Sequence, residues 1–246
     1  MSLGSFDPYL SGFTSDHADQ SATIETETFD HKKISLTGMT WDLLNQGYAA
    51  SSGVPSNNPF NLNETADAYE ERKRKQLKFL TKKIQKAGLD FVFLQEVDIF
   101  TGTPLPKMVA EFLAMLKQQG WRVVHSDRAD NLIQPMLILY DGAKLKYHAK
   151  RALFTCKSGK NTGLEAEFDH IDTGAQICLT NIYLDTETDH NNAILSYQKD
   201  QIKKEKFTII GGGTNAENGV EYHVFVGDKN VATSVASLMA EDENGK

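Results

Sequence analysis

Apolar and polar positions along most of this chain alternate in short runs, interrupted by three stretches with the wider spacing of helices. Thr23 to Phe29 sets Ile24 and Phe29 among Thr and Glu, the pattern of a strand with one wet face. A second strand spans His31 to Trp41, and a fully apolar run, Leu89 to Leu94, reads as a buried strand. Between them a helix opens at Asn63-Glu64-Thr65. It carries Leu77, Leu80, Ile84 and Ala87 on one face and stops at Gly88. A second helix starts at Pro106, buries Val109, Phe112, Leu113 and Leu116, and ends at Gly120. Strands are then predicted at 121–125, 135–140, 151–155, 163–168 and 176–183. A third helix, capped by Asp189-His190-Asn191, runs through Ile194, Leu195, Gln198 and Ile202. A last core strand, Lys206 to Ile210, enters Gly211-Gly212-Gly213-Thr214-Asn215, where the glycine triplet reads as a flexible turn. Tyr222 to Val226 is one more strand. Many strands with helices packed outside predict an α/β two-sheet sandwich flanked by helices.

Composition narrows this picture. A chain of 246 residues with 40% hydrophobic content can bury one substantial core, so a single domain over 1–246 is expected, with 1–14 an extended polar arm. Residues 47 to 63 form a long loop rich in Ser, Gly, Pro and Asn. The net charge of −7 supplies no global field for nucleic acid, which argues against strong non-specific binding. The basic runs Arg72-Lys73-Arg74-Lys75, Lys82-Lys83 and Lys203-Lys204 read as solvated helix faces. Cys156 and Cys178 lie in apolar segments and are expected as buried free thiols, with no spacing that suggests zinc. No basic-then-apolar leader and no bilayer-length apolar run occur, so a soluble, cytoplasmic protein is expected.

Residues 34 to 98 carry the candidate chemistry. Two hydrophobic strands joined by a helix each end in polar residues, Asp42-Leu43-Leu44-Asn45 and Gln95-Glu96-Val97-Asp98. Ligands in mixed α/β folds tend to sit at such strand ends. The order "TWDLLN…FVFLQEVD" resembles the opening of the endonuclease/exonuclease/phosphatase superfamily, the Mg²⁺-dependent DNase I-like phosphoesterases. Tyr69-Glu-Glu-Arg72 is similar to an aromatic-x-x-Arg element of that family, and its deadenylase branch tilts the substrate expectation toward nucleotides. The resemblance runs from about Ile34 to Asn215. It implies a DNase I-like fold, Glu96 as ligand of Mg²⁺ (Mn²⁺ as substitute), and a phosphate ester or nucleotide as the bound partner.

The same comparison marks departures. Asp42 stands where the family has asparagine. In Thr180-Asn181-Ile182-Tyr183-Leu184 a tyrosine occupies the place of the histidine that steadies phosphate, and Tyr183 reads equally well as a strand aromatic with a polar tip. Asn215 survives from a Gly-Asp-x-Asn motif whose aspartate has become Gly213. Glu221 to Val226 is a loose match to the family's later aspartate-bearing strand, with Tyr222 at the aspartate. The closing Ser-Asp-His is not at the C-terminal end but near the start, as Ser15-Asp16-His17. Natural circular permutation, engineering, a cut through a tandem array, or a chance tripeptide would each produce that order.

Metal-assisted phosphodiester hydrolysis needs charge neutralisation, a positioned water and a base. As the resemblance implies, Glu96 would hold the metal, Asp16 would orient His17 as base, and Asn215 would fix phosphate or nucleophile. Asp42 would add a carboxylate or repel the phosphate. Losing one general acid or base costs roughly 10²- to 10⁴-fold, so several replacements predict a weak or silent site. The competing readings are a working hydrolase with altered ligands, and a plain α/β binding module.

Overall fold

The computed structural model describes residues 20–27, 31–43, 66–97, 107–184, 206–215, 221–223 and 226–227, with Ile194, Ser196, Tyr197, Lys199–Gln201 and Lys204. Side chains of Tyr69, Asn215 and the last two strands are outside this set, as are Asp16 and His17, the 1–14 arm and the 47–63 loop.

Eleven described strands form two sheets. The first contains β1 (Gln20–Glu27), β2 (Lys33–Asp42), β3 (Phe91–Gln95), β4 (Trp121–His125) and β5 (Met136–Asp141), in the order β1-β2-β3-β5-β4. The second contains β6 (Leu145–Thr155), β7 (Asn161–His170), β8 (Gln176–Leu184) and β9 (Phe207–Asn215) in sequence order. The short β10 (Glu221–His223) and β11 (Val226–Gly227) both pair with β9. Each sheet is antiparallel except for one parallel pair, β2 with β3 and β8 with β9. A parallel pair needs a crossover. The first is made by α1 (Ala66–Lys86), and helical residues around Tyr197 lie between β8 and β9. A second helix, α2 (Lys107–Gln118), precedes β4.

The alternation expected of half-buried strands sorts side chains into layers. Leu36, Phe91, Phe93, Ile138, Leu164, Phe168, Leu179 and Ile209 meet between the sheets. Met39, Trp41, Val92, Leu94 and Leu139 point the other way, under Leu80 and Ile84 of α1 and Phe112 and Leu116 of α2. A smaller cluster, Ile182, Leu184 and Ile210, packs with Ile194 and Tyr197 on the outside of the second sheet. The architecture is the predicted two-sheet α/β sandwich flanked by helices.

Three expectations are corrected. The strand read at 151–155 begins at Leu145; Lys146, His148 and Lys150 hid its start, and a register shift between Tyr147 and Ala149 breaks the alternation. The glycine triplet is not a turn. Gly211, Gly212 and Gly213 pair in parallel register with Asn181, Ile182 and Tyr183, and β9 continues to Asn215. Gly212 has φ 149°, and a Cβ there would lie 1.9 Å from the Ile182 carbonyl oxygen, so glycine permits this close strand approach. The basic run on α1 is not wholly solvated: Arg74 and Lys75 are exposed, but Arg72 and Lys73 are buried.

Candidate active site at the strand ends

The C-terminal ends of β2 and β3 lie side by side, with Asp42 in register with Gln95 and the Leu43 amide donating to the Gln95 carbonyl at 3.1 Å. Asp42, Gln95 and Glu96 are all buried. Strand alternation would send Glu96 to the helix-covered side with Leu94. Instead its backbone turns left-handed, φ 51°, an uncommon conformation for a residue with a Cβ. Its carboxylate is thereby free of the alternation and accepts a 2.6 Å hydrogen bond from the Tyr183 hydroxyl of the opposite sheet. Backbone strain of this kind concentrates at functional sites.

Behind that contact lies a polar layer joining the sheets. Gln95 Nε2 donates to Thr40 Oγ1 at 3.1 Å and to Asn181 Oδ1 at 2.6 Å. Asn181 Nδ2 in turn donates to the carbonyls of Leu94 and Leu137, each at 2.9 Å. Gln95 and Asn181 belong to the two motifs that carried the resemblance, yet their shared role was invisible in sequence. The signal was a pair of amides on otherwise apolar strands.

The loop-side end of β2 is held from α1. Arg72 Nη1, Lys73 Nζ and Gln76 Nε2 all donate to the Leu43 carbonyl, at 3.0, 2.8 and 3.1 Å. One helical turn thus gathers two cations one residue beyond Asp42. Arg72 of the aromatic-x-x-Arg element therefore acts on the strand end that carries Asp42.

The predicted residues divide accordingly. Glu96 and Tyr183 meet, and Asp42 ends the neighbouring strand. Gly213 is the register partner of Tyr183, which sets the backbone of Asn215 two residues further along β9. Glu221 pairs with Asn215 and Tyr222 with Thr214, so the proposed remnant strand does lie beside β9. Asp16 and His17 lie outside the described residues. Both thiols are free and buried, as expected. No described helix is long and apolar enough to cross a membrane.

No family model matches the chain, and no curated protein sequence matches it. Solved structures do resemble it. The human Nocturnin catalytic domain with bound sulfate is 17% identical with TM-score 0.48, covering 74% of this chain and 64% of that one. A mannosyl-6-phosphatase from Bacteroides thetaiotaomicron is 16% identical with TM-score 0.47, covering 72% and 64%. An endonuclease/exonuclease/phosphatase family protein from Leptotrichia buccalis is 13% identical with TM-score 0.46, covering 59% and 61%. The likeness is one of fold. The chain spans a little under two thirds of the length of each.

Donor chemistry at the strand ends fits a hard cation in kind. Mg²⁺ takes oxygen ligands, typically one or two carboxylates with water completing the shell, and Asp42 and Glu96 offer two carboxylates at adjacent strand ends. Each carboxylate oxygen has two lone-pair sites, and the Tyr183 bond takes one of those on Glu96 Oε1.

Proposed function

We propose that this protein is a phosphoesterase-superfamily sandwich whose metal-dependent site is impaired, so that its cleft binds a phosphate ester or nucleotide with little or no turnover. The observation that carries this is the Tyr183–Glu96 hydrogen bond. Where the resemblance implies a histidine facing phosphate, this chain has a phenol that spends its proton on the Glu96 carboxylate. A phenol carries no positive charge at neutral pH, so it cannot replace an imidazolium at the phosphoryl oxygens. The neighbouring strand offers Gly213 in place of a carboxylate.

Mg²⁺, or Mn²⁺ in its place, would be held by Glu96 with Asp42 and would supply charge neutralisation to the bound phosphate. Asn215 would orient the ester, and Asp16 with His17 would supply the base if the N-terminal segment reaches the cleft. The second reading, a working Mg²⁺- or Mn²⁺-dependent phosphodiesterase or phosphatase, is favoured by Asp42, a buried carboxylate beside the Gln95–Glu96 strand end.

Hydrolysis of a generic phosphodiester with Mg²⁺ and then Mn²⁺ tests this, beside a Glu96→Ala control prepared identically. The expected result is turnover at background in both. Turnover in the natural chain that disappears in the control would establish the working hydrolase instead.

A further inference from the structure

On the outer face of the second sheet, away from the cleft, Glu165 and Glu167 of β7 and Cys178 of β8 bring their ligand atoms within 4.8 Å of one another. The sequence dictates this gathering only through the sheet. Glu165 and Glu167 are two apart on one strand, and Glu167 is the register partner of Cys178, so all three share a face. Glu165 and Cys178 are buried and Glu167 is half-buried.

The surrounding groups are arranged around these three. The Arg151 guanidinium forks onto Glu165, with Nη2 to Oε2 at 3.2 Å. Tyr197 also donates to Glu165, and since its one proton is used there, it accepts from Thr180 at 3.1 Å. Lys206 pairs with Glu167 Oε1 at 2.8 Å. Two carboxylates and two cations thus balance while Cys178 is a thiol.

Two polar groups beside Cys178 are not satisfied by this arrangement. Gln201 is 1% exposed; its Oε1 accepts from Cys178 Sγ at 3.8 Å, but its Nε2 has no hydrogen-bond partner among the described residues. Thr208 is 8% exposed and is the β9 register partner of Cys178, and its Oγ1 also lacks a partner among them. Native proteins rarely leave such groups unmet. Both can donate: the Gln201 amide already meets the sulfur through Oε1, and Thr208 shares the sheet face of its register partner Cys178.

We propose that Cys178, Glu165 and Glu167 form a binding site for a borderline-soft divalent cation, best suited to zinc and separate from the cleft. A thiolate with carboxylates matches Zn²⁺ and not Mg²⁺. On binding, the metal–sulfur bond forms as the S–H bond breaks, and the proton leaves to solvent with no change of oxidation state. The Gln201 amide then turns over, so that Nε2 donates to sulfur, and Thr208 donates from the neighbouring strand. Arg151 holds the Glu165 carboxylate in orientation, the part that outer groups commonly play around metals.

The test is titration of EDTA-treated, dialysed protein with Co²⁺, read by absorbance. The expected result is a saturable thiolate-to-cobalt charge-transfer band in the near ultraviolet, displaced by Zn²⁺ and untouched by Mg²⁺. Cys178→Ser abolishes the band, whereas Cys156→Ser and Glu96→Ala keep it. Should Cys178→Ser not fold, Glu167→Gln at the more exposed rim removes a ligand, so the band remains but saturates only at higher Co²⁺ and Zn²⁺ binds more weakly. No band at saturating Co²⁺, a band that survives Cys178→Ser, or one lost in Cys156→Ser would overturn the proposal.

Discussion

Tyr183 is the residue on which the cleft's chemistry turns, because its hydroxyl is the buried donor that Glu96 meets across the two sheets. Tyr183→Phe keeps the ring and removes that bond, leaving a buried carboxylate short of a donor. The expected cost is about 1–3 kcal/mol, read from urea unfolding midpoints; an unchanged midpoint would mean that water replaces the phenol at no loss. Cys178 gives a second residue-scale prediction. Burial first, and then the Glu165 carboxylate, push its thiol up from 9.0 to about 12. A group whose folded pKa is raised contributes stability that is complete below its unfolded value and is lost as pH climbs through the folded one. In metal-free buffer the stability advantage of the natural chain over Cys178→Ala should therefore shrink between about pH 9 and 12. The slope should be at most about 1.4 kcal/mol per pH unit. A gap that stays constant over that window counts against a protonated, buried thiol.

At the scale of elements, β9 is the strand whose sequence misleads. Three glycines look like a hinge, yet pairing with β8 holds them extended, and the near-contact with the Ile182 carbonyl explains why a side chain is absent at 212. Gly212→Ala places a methyl 1.9 Å from a backbone oxygen in a conformation that L-residues resist. A loss of about 2–4 kcal/mol is expected from overpacking and backbone strain together. Thermal unfolding checks it; a melting temperature within a degree or so of the natural chain would show that β8 and β9 separate easily. Helix α1 misleads in the opposite sense. A run of four basic residues suggests a wet face, but the helical period turns Arg72, Lys73 and Gln76 inward onto one carbonyl, with Arg74 and Lys75 left outside.

For the whole molecule, the decisive feature is that the two sheets are joined by polar contacts as well as by apolar packing. Asn181 reaches from β8 to the carbonyls of Leu94 on β3 and Leu137 on β5, and it accepts from Gln95. Asn181→Leu keeps the branched shape but adds bulk and strands these partners in the core, and should cost about 2–4 kcal/mol in denaturant unfolding. A neutral outcome would mean that the interface is held by its apolar residues alone. Most of the layer plan was legible without coordinates. Strand β4 is observed at the predicted 121–125, β8 ends one residue beyond expectation, and α2 carries its predicted apolar face, as does α1 except for Ala87, which is exposed beyond the helix end at Lys86. Periodicity reports which side of an element is apolar, and that is a local property of neighbouring residues. It therefore determined the strands, the helices and the sandwich class. The meeting of Glu96 with Tyr183, the gathering of Glu165, Glu167 and Cys178, and the burial of Arg72 and Lys73 were decided only by tertiary structure. Each depends on the register between strands, or on which strand end a helix covers, and residues as far apart as 96 and 183 carry no trace of their pairing in the local pattern.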